Sequence, residues 1–185
     1  MSSHYSRAAL ADAMDAGHRP EFLFFWGHTS KSDAPGKHCL SQWWPAAFTV
    51  DAVSYPTAEH FMMAEKARLF ADPPALALIL GAGTPREAKQ LGRRVRGFDG
   101  ARWEAARFEL VVRGNAAKFG QNPLLREYLL GTGGSVIVEA SPRDRIWGIG
   151  MGESNPNARS PRQWRGQNLL GFALMRVRDE LRRGR

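Results

Sequence analysis

Glu59 and Lys66 stand seven residues apart in the stretch that begins Tyr55-Pro-Thr-Ala-Glu-His-Phe61. If the stretch is helical, each residue turns by about 100°, which leaves Lys66 about 20° from Glu59, Met63 about 40° and Phe70 about 20°. Both charged groups then fall on the apolar face, while Glu65 and Arg68, at an i,i+3 spacing, supply a solvated face opposite. A charge on a buried face is costly unless it is paired or lines a cavity. Desolvation also raises a glutamate's pKa toward the range useful for proton transfer. Seven rises separate the two residues by roughly 10 Å, room for a small ligand between their side chains. The same wheel is compatible with Glu59 complementing the helix dipole and Lys66 snorkelling to solvent.

Other groups are weaker candidates. Phe25, Trp43, Trp44, Trp103, Trp147 and Trp164 could stack on a base, although each is equally a packing residue. Gly148-Ile-Gly-Met-Gly152 lacks the dinucleotide-binding spacing and does not lead from a strand straight into a helix. Cys39 follows His38, but adjacent side chains seldom meet productively, and a lone cysteine usually packs as a small hydrophobe. No Cys/His pairs occur at zinc-ligand spacing, so neither a metal nor a cofactor is expected.

The elements that must position these residues follow from pattern and punctuation. Phe22–Trp26 reads as a buried strand followed by Gly27 and a polar 29–33 loop. Residues 43–50 and 53–55 form a small hairpin around Asp51-Ala52. Thr57 caps the helix carrying Glu59, which runs to about Phe70 and stops at Asp72-Pro-Pro74; a further helix covers Ala75 to Leu80. Thr84-Pro-Arg-Glu87 is a capping box with proline at the first helical position, opening a helix to about Arg94. A central helix spans Trp103 to about Lys118, a short one follows Asn122-Pro123 to Gly131, Ser135–Ala140 is a strand, and Leu169 to about Arg183 closes the chain. The long Gly-rich segment from Ser141 to Asn168 is the kind of loop that carries function.

The 185 residues suit one domain, expected to span 21–185 behind a weakly structured 1–20. A hydrophobic fraction of 43% and a charged fraction of 24% are ordinary for a globular chain. The first twenty residues lack a signal core and no apolar run is long enough for a bilayer, so a cytoplasmic, membrane-free setting is expected. The net charge of +8 fits an anionic partner. Much of the excess lies in Arg176, Arg178, Arg182, Arg183 and Arg185, where cations also suit a helix C-terminus.

Tyr55-Pro-Thr-Ala-Glu-His-Phe61 with Ala64-x-Lys66, then Trp103, Asn115-x-x-Lys118-Phe119, Asp144-Arg-Ile-Trp-Gly-Ile-Gly150 and Gly166-Gln-Asn-Leu-Leu-Gly171 together resemble the NADAR superfamily, also called YbiA-like. The resemblance runs from about Phe24 to Leu181. It implies a mainly helical α+β domain with a few short strands. It also implies N-glycosidase activity on a phosphorylated ribosyl substrate: some members cleave early riboflavin-pathway intermediates into ribose 5-phosphate and a pyrimidine, while others remove ADP-ribose from guanine bases.

Carried over by motif, Glu59, Trp103 and Asp144 are active-site positions, and Lys66, Lys118, Trp147, Gly148 and Asn168 lie within matching motifs. On this reading Glu59 handles water at the anomeric carbon, Asp144 orients the ribose hydroxyls or assists the base, and Trp103 stacks on that base. Lys66 holds phosphate, polarises the sugar or forms a transient Schiff base. Many relatives carry an acidic residue where Ile149 stands, and residues 153–165 form an insertion; both bear on substrate choice more than on reaction type. A non-catalytic module binding ADP-ribose or nucleic acid is the reading of another class, supported by the basic carboxyl end.

Overall fold

The computed structural model describes residues 5–29 and 34–184. The sequence-derived readings for residues 1–4, for 30–33 of the polar loop and for Arg185 lie outside the described residues. The elements are α1 (Arg7–Asp15), β1 (Phe22–Phe25), β2 (Phe48–Val50), β3 (Val53–Tyr55), α2 (Ala58–Leu69), α3 (Pro73–Leu80), α4 (Pro85–Gly92), α5 (Gly100–Gln121), α6 (Pro123–Gly131), β4 (Val136–Glu139) and α7 (Leu169–Arg182). Helices dominate and the strands are short, the α+β class expected. Among the described residues no helix is long and apolar enough to cross a membrane.

The chain divides into two compact units, one formed by Met1–Ser41 with Leu124–Arg185 and the other by the continuous Gln42–Pro123. In the first, β1 and β4 pair in parallel with Phe22 opposite Val136 and Phe25 opposite Glu139. Helix α7 packs on β4 so closely that a Cβ placed on Gly171 would lie 2.1 Å from the Ile137 carbonyl oxygen. Any side chain there is excluded. The expectation of weak structure before residue 20 is corrected by α1: Ser6 accepts from the Ala9 N–H as its cap, Leu10 and Ala11 are buried, and Arg7 donates to the Trp164 carbonyl at 2.8 Å. An alanine-rich segment with a good cap needs only such docking to persist.

The arginines of the carboxyl end are mostly engaged within this unit. Arg176 pairs with Glu180 at 2.9 Å, and the buried Arg178 donates to Thr132 Oγ1 at 2.9 Å and to the Ser135 carbonyl at 2.8 Å. Arg182 donates to the Gly133 carbonyl at 2.6 Å. Their task is to fasten α7, which weakens the case for a basic docking tail.

In the second unit the hairpin forms as read, Phe48 opposite Tyr55, with Asp51 and Ala52 at φ of 50° and 62° making the turn. Phe48, Tyr55 and Phe61 cluster with ring centroids 5.1–6.0 Å apart. Gly114 lets α5 close on α2, since a Cβ there would come 2.5 Å from Phe61. The proline pair after α2 does more than stop it. Pro73 and Pro74 are the first residues of α3, two residues earlier than expected, because Asp72 caps that helix by accepting from the Ala75 N–H.

Asp72 also accepts from the Arg96 side chain at 3.0 Å and from the Arg96 backbone N–H at 2.8 Å, and these bonds hold its carboxyl down to about 2. A carboxylate whose folded pKa lies below its unfolded value stabilises the fold above that unfolded value and ceases to do so as pH falls through the folded one. Melting temperature is therefore expected to drop between about pH 4 and pH 2 more steeply in the wild type than in Asp72→Asn. The Asn variant keeps a capping oxygen and so should melt above Asp72→Ala. Parallel melting curves for wild type and Asp72→Asn across that range would remove Asp72 from the account.

Candidate active site

Thr57 caps α2 through Oγ1, which places Glu59 in the first turn, 2% exposed. The Glu59 N–H donates to the Gln42 carbonyl at 3.0 Å. Gln42 and Asn115 are buried and bonded to one another at 3.0 Å, and the Asn115 amide donates onward to the Val111 carbonyl at 2.8 Å. The neighbouring His60 is also buried. Thr57 Oγ1 accepts from its backbone N–H and lies 2.8 Å from its Nδ1, while Nε2 donates to the Ala82 carbonyl at 3.1 Å. Burial pushes the pKa of the ring down. The start of α2 is thus gripped by carbonyls from two other parts of the unit, Gln42 and Ala82.

Gln42, His60 and Asn115 escaped the sequence reading as site-builders. His60 could have been found, since it sits at the i+3 position from the cap. The amphipathic reading of α2 is also corrected: Ala58 to Ala64 are all buried, so the first two turns have no wet side. Glu65, placed on the solvated face by the wheel, has a side chain only 11% exposed and pairs with Arg68 at 2.5 Å and Arg113 at 3.3 Å. Helices α3, α4 and α5 all pack on α2.

Lys66 is half-buried and donates to the Gly92 carbonyl at 2.8 Å. Its Nζ lies 4.3 Å from the Phe98 ring centre and 5.7 Å from that of the half-buried Trp103. Burial, and then the nearby Arg93 charge, lower its pKa. The approach of α4 depends on Gly92, where a Cβ would collide with Met63. Lys118 is fully buried on α5, its Nζ 5.0 Å from the Phe119 ring centre.

In the other unit, the Gly-rich loop is built around Asp144. Its Oδ1 accepts from the Ile146 and Trp147 N–H groups at 2.8 and 2.7 Å, and its carbonyl from Gly150 at 3.0 Å. Gly148 passes against β4, where a Cβ would be 2.8 Å from the Glu139 carbonyl oxygen. The segments either side of the insertion are laced together by Arg165 donating to Ile149, Asn168 to Gly148 and Gln167 to Arg145, all backbone bonds of 3.0–3.1 Å. Asn168 is fully buried at φ 56°, and its amide bridges β4 by accepting from the Glu139 N–H at 3.0 Å and donating to the Ile137 carbonyl at 2.9 Å.

Within the insertion Trp164 is buried and donates to the Ala158 carbonyl at 2.8 Å, a packing role. Beside the loop a cleft of about 490 Å³ is lined by Phe25, Trp26, Lys37, Pro142 and Glu153. Trp26, 61% exposed, offers a stacking surface that the sequence reading passed over as part of a strand. Cys39 is buried, and among the described residues no group of three or more His, Cys, Asp or Glu could hold a metal ion.

The described geometry thus sets a buried carboxylate at the start of α2, with a lysine further along that helix and the Trp103 ring of α5 5.7 Å from its Nζ. The chain belongs to the NADAR family: the NADAR domain model matches residues 24–182. It is 41% identical over 165 residues to N-glycosidase R617 of Acanthamoeba polyphaga mimivirus, covering 86% of this chain and 96% of that protein. It is 30% identical over 152 residues to N-glycosidase YbiA of Escherichia coli, 82% of this chain and 85% of that one. The NMR structure of the E. coli protein YbiA superposes with a TM-score of 0.70 at 26% identity, covering 90% of this chain and 89% of that one. A maize riboflavin biosynthesis protein, PYRR, matches at 36% identity over 138 residues, 71% of this chain but 20% of its own length. The chain is a hydrolase of the N-glycosidase class.

Proposed function

We propose that this N-glycosidase hydrolyses the C–N bond of a ribosylamino-pyrimidine phosphate, releasing ribose 5-phosphate and the free pyrimidine. The observation that carries the reading is Glu59, a carboxylate fixed and almost wholly buried in the first turn of α2. The similarity to a riboflavin biosynthesis protein supports the choice of substrate. Breaking the bond develops positive charge on the sugar. Glu59 takes the proton from the attacking water, whose oxygen joins C1′, while the departing base carries away the bonding pair. Trp103 stacks on the base, and in the Gly-rich loop Trp147 and Gly148 close around Asp144. Lys66 holds the phosphate or polarises the sugar. Asn168 and Lys118, both fully buried, hold backbone and packing in place rather than touch substrate.

Incubation with a panel of ribosylamino-pyrimidine phosphates and ADP-ribosylated nucleosides, read by mass spectrometry, tests the assignment. Free pyrimidine and ribose 5-phosphate are the expected products. Release of guanine from ADP-ribosylated guanosine, with the pyrimidine compounds untouched, would replace this substrate by the other. Binding to plain oligonucleotides that weakens steeply with salt, without turnover of any compound, would replace the enzyme by a binding module.

A further inference from the structure

Arg107 lies on the buried stripe of α5, one turn beyond Trp103 and two turns before Gly114. It is 7% exposed. Lys66 of α2 meets Trp103 at 5.7 Å, and Phe61 of α2 lies against Gly114, so Arg107 sits on α5 between the two places where these helices are pinned together. Its Nη2 donates to Glu104 at 2.8 Å, but Glu104 is 65% exposed and stands at the rim. The Arg107 Nε is buried with no acceptor among the described residues. A guanidinium withdrawn from water with a donor unused is costly to keep, and such a group calls for a partner. Lys66 itself has a second cation close by, since its pKa is lowered by burial and then by the Arg93 charge.

We propose that Arg107 binds the phosphate of the substrate, together with Lys66. This rests on the reading of the chain as an N-glycosidase acting on a ribosyl phosphate. A guanidinium fork matches two phosphate oxygens, and a dianion favours more than one cation around it. Glu59 lies two turns earlier on the same side of α2 as Lys66, roughly 10 Å along the axis. A ribose 5-phosphate, with its phosphate and anomeric carbon at opposite ends, spans such a gap. The ligand chemistry is a ribosyl phosphate, either a terminal monophosphate or the diphosphate of ADP-ribose.

Two variants test this. Arg107→Met is expected to weaken binding of ribose 5-phosphate, measured by calorimetry, at least about 10-fold, and Arg107→Lys, which keeps the charge but loses the fork, about 3-fold. A parallel titration with ADP-ribose shows which phosphate is preferred: the larger loss identifies the natural one. In turnover, the ratio of kcat/KM between a phosphorylated substrate and its dephosphorylated counterpart should collapse toward unity in Arg107→Met, chiefly through KM. Equal losses on both compounds would mark a structural role and overturn the proposal. Should Arg107→Met fail to fold by circular dichroism, the Lys variant decides, and wild-type affinity for both ligands in it overturns the proposal. The binding assay needs no turnover. An inactive wild type that still loses ribose 5-phosphate affinity on substitution would refute the hydrolytic assignment and leave the phosphate site standing.

Discussion

Glu59→Gln is expected to lower kcat by at least about 100-fold, the scale of a lost general base, with KM little changed and the fold intact. The substitution keeps the shape of the side chain and removes its charge and its capacity to take a proton. The backbone contact that seats this residue, its N–H on the Gln42 carbonyl, is indifferent to the change. Burying a neutral amide is also cheaper than burying a carboxylate, so melting should not suffer. The caps and bonds of Thr57, His60, Gln42 and Asn115 remain to hold the first turn of α2. Steady-state kinetics beside a thermal melt decide the matter. Wild-type turnover in a folded Gln variant would remove Glu59 from the chemistry, and loss of turnover accompanied by loss of fold would make it structural.

Asn168→Ala should lower the free energy of unfolding by about 2–4 kcal/mol, with activity per folded molecule nearly retained. Three costs converge. The Glu139 N–H and the Ile137 carbonyl lose their buried partner. Alanine must then adopt φ 56°, a left-handed conformation that asparagine accepts far more readily. The void opens next to Gly171, where helix and strand are in closest contact. Asn168→Gly restores the backbone freedom but not the bonds and should fall between the two. Chemical denaturation measures the series. If stability held while KM rose, Asn168 would be a substrate contact, as its place in a matching motif first implied.

The elements most readily seen in the chain were those with strong local punctuation. Thr57, the Thr84 capping box and Asp51-Ala52 each act within four residues, and each start or turn stands where it was expected. Helix α1 was missed because a mixture of serine, arginine and aspartate looks polar, although its alanines and Ser6 cap favour a helix. The enclosure of α2 could not be seen because a helical wheel assumes one wet side, whereas α3, α4 and α5 surround this helix. Glu59 could be picked out by type and position. Its supports could not, since Gln42 and Asn115 meet across 73 residues and His60 reaches Ala82 across 22. Arg107 could have been noticed at i+4 from Trp103, but only coordinates show its unused donor.

Strand β1 finds its partner β4 more than a hundred residues downstream, and the whole of the continuous Gln42–Pro123 unit lies between them in the chain. On a ribosome the intervening unit emerges complete while β1 still waits with an open edge. Its contacts close over shorter loops, at lower entropic cost, than the β1–β4 pair. Assembly should therefore begin in the middle of the chain. The part that holds Glu59 matures first, and the Asp144 loop takes its form only when the last helix has been made and α7 has docked on β4.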